Sequence, residues 1–377
     1  MKARILKPAK RMRKKYKEFK ILLDNQNEYV VMTHTVNPYD DGYTWRITAD
    51  IHAEKKDIIM LQKVLVSIDT EGPAGADPVE HMIFGKATDG KEYGIRYLMQ
   101  LFSERQITGL FFVDIPEIAD HGEKMIARVM KEIDDSGHDI GVHVHPDHMA
   151  DINRRYLWQY TKEEQYEIIA RCTDFYAKVL KKPPLSFRAG RYGADNNTLQ
   201  VLDELGYKYD MSEFHSSRYC KITPEITWNR VVTCGKNGLK EVPVTTFRSL
   251  STPFYSRNDQ IDSGNMPSEF KRNIRAIISE GSVDVISMFF HSFQFLNWRK
   301  EPDSPKFSEK RWKKSIGNLD YLLKQDVVFI AEKDLAFLET NRKDSVGALD
   351  RSKGLMPYYY FGLRAVETIW QRLTLNV

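Results

Sequence analysis

An α/β barrel is the fold class predicted for this chain of 377 residues. Two observations carry that reading. From about residue 64 to residue 338, short apolar stretches alternate with amphipathic ones of helical period, giving seven or eight strand–helix units. The polar residues that look out of place fall just past the ends of the strand-like stretches. Repeated strand–helix alternation implies parallel strands joined by helical crossovers. Seven or eight such units favour a closed (β/α) barrel over an open sheet, and in such barrels chemistry gathers at the C-terminal strand ends.

Taken in order, residues 64–68 read as a buried strand and 92–103 as a helix. Residues 109–113 are a strand, and 123–135 a helix stopped by Gly137. Residues 139–144 form the third strand. Thr161 and Glu164 make a capping box for a helix over 161–180, whose Ile168, Ile169, Cys172, Phe175, Tyr176 and Val179 keep a helical period. A strand over 185–188 precedes a helix over 195–205 that Asp195 caps and Gly206 closes. Residues 207–211 and 241–244 are short strands, 268–279 a helix, 283–290 a buried strand, 308–323 a helix and 327–330 the last strand. Before the barrel, residues 29–34 and 44–52 suit a hairpin. After it, residues 358–375 place Tyr359, Leu363, Val366, Ile369, Trp370 and Leu373 at helical spacing. The expected domains are a basic arm and small segment over 1–60, the barrel over 61–340 and an amphipathic tail over 341–377.

Apolar and charged fractions of 42% and 29% are those of an ordinary globular protein. No run of eighteen apolar residues offers a membrane span. The basic N-terminus lacks the apolar stretch of a secretory signal. Three cysteines without metal-like spacing, Cys172, Cys220 and Cys234, fit a reducing cytoplasm. The net charge of +4 hides an asymmetry: residues 1–20 hold ten Lys/Arg and one acid. Removing these from the chain's 56 basic and 52 acidic residues leaves 46 and 51, a net of −5. The acidic body argues against nucleic-acid binding. The basic tail reads first as a solvated arm, and second as a contact for an anionic membrane.

Four groups carry chemistry, each at a strand end. The first is Asp69-Thr70-Glu71. The second is Gly137-His138-Asp-Ile-Gly-Val-His143-Val-His145-Pro-Asp147-His148, where strand alternation points His143 and His145 the same way. Imidazole is the commonest protein ligand for zinc and its neighbours. The third is Phe187-Arg188-Ala-Gly190-Arg191-Tyr192-Gly193, and the fourth is Phe290-His291-Ser292.

In order and spacing these four groups resemble the polysaccharide deacetylase family, also called NodB-homology or carbohydrate esterase family 4, over roughly residues 61–340. The His-x-His-Pro and Phe-Arg-Ala-Gly-Arg-Tyr versions resemble the branch found with lipopolysaccharide and O-antigen synthesis. The resemblance implies a distorted (β/α) barrel and one divalent ion, zinc in the first instance. It implies a hydrolase removing acetyl groups from amino sugars. It assigns Asp69 as base, Glu71 and His143 as metal ligands with either His145 or His148, Arg188 as the partner of Asp69, and His291 as general acid. Tyr192, Arg191 and Glu213 are candidates for substrate contact.

The departures are specific. Thr70 stands where the family has a second aspartate, Asp147 where it has a histidine at i+4, and Tyr209-Asp210-Met211-Ser212 where it has a tryptophan motif. The expected setting is cytoplasmic, at most on the inner membrane face, with a nucleotide-linked or lipid-linked sugar as substrate. The rivals are a deformylase, a non-sugar amidase or a glycosidase on the same barrel, and a non-catalytic glycan-binding relative.

Overall fold

In the computed structural model, the residues described are 61–72, 82–215, 217–223, 229–299, 304–340 and 349–375, with side chains as far as Val366, and four strands between residues 4 and 48. The chain divides into two compact units, Met1–Leu61 and Gln62–Val377.

In the first unit, strands β1 (Arg4–Ile5), β2 (Tyr16–Leu22), β3 (Tyr29–Thr35) and β4 (Trp45–Thr48) form an antiparallel sheet in that order. The expected hairpin is present as β3 and β4, paired from Val31↔Thr48 to His34↔Trp45. β2 pairs with β3 along its whole length, so residues 16–20 of the expected basic arm lie in a strand, while residues 1–3 and 6–15 of it lie outside the described residues. The physical reason lies in the residues between the two strands and in β3 itself. Asp24-Asn25-Gln26-Asn27 has the composition of a turn, and the β-branched and aromatic residues of β3 need a second edge partner.

The second unit is built on β5 (Gln62–Thr70), β6 (Gly109–Asp114), β7 (Asp139–Val144), β8 (Ser186–Ala189), β9 (Tyr209–Asp210), β10 (Val232–Cys234), β11 (Leu239–Glu241), β14 (Val285–His291) and β17 (Val327–Ile330). Its order is β10-β11-β9-β8-β7-β6-β5-β14, with β17 also paired to β5. All pairs are parallel except β10 with β11. The other strands are the hairpin β12 (Thr246–Ser251) and β13 (Ser256–Gln260), and the small pair β15 (Leu296–Asn297) and β16 (Lys306–Phe307). Helices α1 (Ile95–Glu104), α2 (Glu123–Asp135), α3 (Lys162–Leu180), α4 (Asn196–Glu204), α5 (Pro267–Glu280) and α6 (Glu309–Leu322) supply the crossovers. The sequence-predicted capping box is in place: Thr161 Oγ1 accepts from Glu164 N–H, and Thr161 N–H donates to Glu164 Oε2 at 2.8 Å.

The sheet curls as a half-barrel, and among the described residues no ladder joins β14 to β10 or β11 to close the expected barrel. The chain leaves β11 after Val242 and Val244 bond to the carbonyls of Asp210 and Glu213, then turns into the β12–β13 hairpin. Thr245 stands in for the missing strand. Its hydroxyl donates to Val285 O and accepts from Ser287 N–H, so the outer edge of β14 is satisfied by a side chain.

Pleating divides the strands between two cores. Val64, Val66, Ile68, Phe111, Val113, Val142, Val144 and Phe187 face the helices. Leu65, Leu110, Phe112, Tyr209, Met211 and Val285 fill the inside of the curl, with Leu335 and Leu338 from beyond β17. That last segment lies under the N-terminal strand ends. Glu332 N–H donates to Asp139 at the start of β7, and Lys240 Nζ donates to the carbonyls of Leu335, Ala336 and Leu338. One end of the curl is thereby closed, and the C-terminal strand ends are left for polar groups. The tail forms helix α7 (Met356–Leu375), held by Arg364 to Glu269 of α5 at 2.6 Å and to Asp259 of β13 at 3.4 Å. No helix among the described residues is long and apolar enough to cross a membrane.

Candidate active site

Strand alternation places the site. If Leu65 faces inward, so do Ser67, Asp69 and Glu71. On β6 the same face carries Phe112 and Asp114, and on β7 it carries His143 and then His145. Thr70 falls on the opposite face, fully buried and away from the mouth. The departure at Thr70 therefore costs the site nothing, because the carboxylate that reaches its centre comes from Glu71.

Glu71 Oε2 lies 3.1 Å from His143 Nε2 and 2.7 Å from His145 Nε2. His143 Nδ1 lies 2.8 Å from the carbonyl of Arg188. A carbonyl only accepts, so Nδ1 carries a proton, and Nε2, turned toward Glu71, is the nitrogen that would ligate once deprotonated, the orientation typical of metal-binding histidines. His145 is buried, and its Nδ1 has no hydrogen-bond partner. One ligand atom from each of Glu71, His143 and His145 lies within 4.8 Å of the others. A carboxylate and two imidazoles make a known three-ligand set for a catalytic divalent ion, so these residues fit the metal that the motifs imply.

The other candidates separate cleanly. His148 is corrected out of this group. Its Nδ1 donates to Asp120, and its Nε2 faces Asp114 at 3.9 Å. Asp147 pairs with Arg191 at 2.8 Å and Arg155 at 3.7 Å, so Arg191 is engaged with a carboxylate. His138 lies at the far end of β7, where it accepts from Gly109 N–H and donates to Met99 O. The cause is a break in the strand. After His145, the turn Pro146–His148 swings the chain aside.

Asp69 and Arg188 form a buried ion pair at 2.6 Å. Arg188 also donates to Ser67 Oγ and to Met211 O, with its guanidinium over the Phe112 ring at 4.3 Å. The other oxygen of Asp69 lies 3.8 Å from His143 Nε2. His291 closes the far side. Parallel pairing sets it opposite Asp69, and its Nε2 is 3.7 Å from Glu71 Oε1. Phe289 and Phe293 flank its ring at 4.6 and 4.9 Å, and its side chain is 32% exposed, which leaves it open to an incoming molecule. Ser292 locks the Asp69–Glu71 turn. Its N–H donates to Asp69 O, and its hydroxyl donates to Glu71 O.

Electrostatics follow from this crowding. Burial raises the Glu71 carboxyl, but His145 and His143 outweigh it and hold Glu71 well below its ordinary value. Burial lowers His143, but Asp69 and Glu71 outweigh it and lift the ring to about 9. His145 goes down, because burial exceeds the pull of Glu71. Arg191 and Tyr192 both adopt left-handed backbone, φ 55° and 56°, a strained geometry for side-chain-bearing residues that is common at functional loops. Tyr192 packs edge-on against Phe214 at 5.2 Å and near Phe289. Glu213 falls in a separate buried acid cluster with Asp210 and Glu241. It donates its N–H to Glu241, and burial followed by Asp210 pushes its carboxyl up to about 8. Asp114 and Glu117 are buried beside the Glu71 group as well. Their signal in the sequence is three acids in a short stretch, Asp114 at the end of β6 and Glu117 and Asp120 just past it.

The fold and site define an α/β protein with a cluster of carboxylates and imidazoles at the C-terminal ends of parallel strands. Residues 87–209 match the family model described as Polysaccharide deacetylase. No curated protein matches the chain. Similar solved structures include a provisionally assigned polysaccharide deacetylase from Mycobacterium smegmatis, 16% identical, covering 76% of this chain and 94% of that one, TM-score 0.49. A 4-alpha-glucanotransferase from Thermococcus litoralis is 11% identical over 74% of this chain and 39% of that one, TM-score 0.43. The chitin deacetylase of the fungal pathogen Colletotrichum lindemuthianum is 13% identical over 75% and 90%, TM-score 0.39.

Proposed function

We propose that this chain is a metal-dependent hydrolase that removes the N-acetyl group from an amino sugar, with residues 61–340 as the catalytic body. The observation that carries this reading is the convergence of Glu71, His143 and His145 beside the Asp69–Arg188 pair. Those three residues would hold one divalent ion, zinc in the first instance, which when bound polarises an acetyl carbonyl and acidifies water.

This chain's own groups do the rest. Arg188 holds one oxygen of Asp69, leaving the other to accept the proton of the attacking water. His291 gives a proton to the departing nitrogen, so that water plus amide yields acetate plus amine. The N–H groups around Tyr192 suit the oxygen that gains charge. The substrate we propose is a nucleotide- or lipid-linked sugar of lipopolysaccharide or O-antigen assembly, handled in the cytoplasm at the inner membrane face. The reading is tested by acetate release from such acetamido sugars by zinc-loaded protein. Release that Asp69→Asn abolishes supports it, and no release from any acetamido sugar by fully loaded protein overturns it.

A further inference from the structure

We propose that Asp114, Glu117 and His148 form a second divalent-cation site next to the Glu71 group. Each offers one ligand atom, and these atoms lie within 4.8 Å of one another. Asp114 is fully buried and Glu117 almost so, and Asp114 Oδ2 and Glu117 Oε2 have no hydrogen-bond partner. Two buried carboxylates with unpaired oxygens are costly unless a cation or protons neutralise them.

Their remaining bonds argue for a cation. Asp114 Oδ1 accepts from His145 N–H, and Glu117 Oε1 accepts from Gly72 N–H. Each carboxylate is thus fixed by one oxygen and presents the other. His148 donates through Nδ1 to Asp120, so its Nε2 is the ligating nitrogen, and it faces Asp114 Oδ2 at 3.9 Å. This carboxylate–imidazole–cation order is the one that orients metal-binding histidines. His121 stands at the margin, its Nε2 at 4.0 Å from Glu117 Oε2.

The two groups are adjacent and distinct. The rings of His145 and His148 are 6.0 Å apart, and no residue belongs to both groups. Two carboxylates and one imidazole form a harder set than one carboxylate and two imidazoles, which suits manganese or magnesium as well as zinc. A cation there would fix the turn between His145 and His148 and neutralise the charge behind Glu71.

The test is the number of manganese ions held per full-length chain after chelation and equilibrium dialysis against Mn²⁺, read by elemental analysis. Wild type should hold two. The pair Asp114→Asn with Glu117→Gln keeps side-chain volume and should hold one, as should His148→Gln, whose less buried position guards against misfolding. The pair Glu71→Gln with His143→Gln should also hold one, and that ion should be lost on adding His148→Gln. One ion in the wild type overturns the proposal. So does undiminished binding in His148→Gln, or no binding once the Glu71 group is disabled. The count does not depend on turnover, so a catalytically silent protein with two ions sinks the deacetylase reading and leaves this site standing.

Discussion

Asp69 and Glu71 stand two residues apart on one strand face, yet they have different partners. Asp69 is tied to a permanent cation, Arg188, while Glu71 is tied to two imidazoles that ligate only when neutral. Their amide variants should therefore fail differently. Asp69→Asn keeps the three proposed ligands and removes the proposed base, so bound metal should persist while acetate release falls by about 10²–10⁴. Glu71→Gln should lower zinc affinity by at least ~10-fold. Elemental analysis beside the acetate assay separates the two, and equal metal loss in both refutes the division of roles. Removing Arg188 is a different matter. Arg188→Met leaves a buried carboxylate unpaired, at a cost of about 3–5 kcal/mol. Glu213 provides a pH signature at this scale. Unfolded it titrates near 4.5, and folded at about 8. The folded chain binds the extra proton across that interval, so the stability it confers is full below about pH 4.5 and declines as pH rises through 8, by up to ~1.4 kcal/mol per pH unit. Urea unfolding at acid and alkaline pH should show a shallower decline in Glu213→Gln, and an unchanged slope would remove Glu213 as its source.

At the scale of elements, the strand ends do the positioning, and the loops between them decide which side chains arrive. Gly190 is a case in point. A Cβ there would collide with the His145 ring. Gly190→Ala should leave the β8 strand intact but push His145 off Glu71, weakening zinc binding by about 10- to 100-fold. Calorimetric titration would show it, and unchanged affinity would mean that His145 is no ligand. The same logic explains what could be read from sequence. Period-2 alternation put Asp69 with Glu71 and His143 with His145, and both pairs converge as read. The capping box at Thr161 and the parallel crossovers were equally legible, since each is a local pattern. His148 was not, because its direction depends on the Pro146–His148 turn and on the distant Asp120. Nor was the open sheet, because closure depends on how Thr245 meets β14. β2 went unread because its lysines advertised charge, while its partner strand lay downstream.

For the molecule as a whole, all of these proposed ligands belong to the unit Gln62–Val377 but come from strand ends far apart in sequence. Glu71 and His143 are brought together only when β5, β6 and β7 have paired in register. An unfolded chain presents the same side chains singly, so a divalent ion held by them would bind the folded state by preference. Stability then rises with free ion as RT ln(1 + [L]/Kd), about 2.7 kcal/mol at a hundredfold excess over Kd. Ligand protons compete with the ion, so the gain shrinks as pH falls. The urea midpoint of the full chain should therefore drop on chelation and recover on adding zinc, with a larger recovery at pH about 7.5 than at about 5.5. Asp69→Asn should retain the zinc-dependent shift, and Glu71→Gln should lose much of it. If zinc raises the midpoint of Glu71→Gln as far as that of the wild type, the stabilising ion sits elsewhere, and the Glu71–His143–His145 group is not the centre that folding assembles.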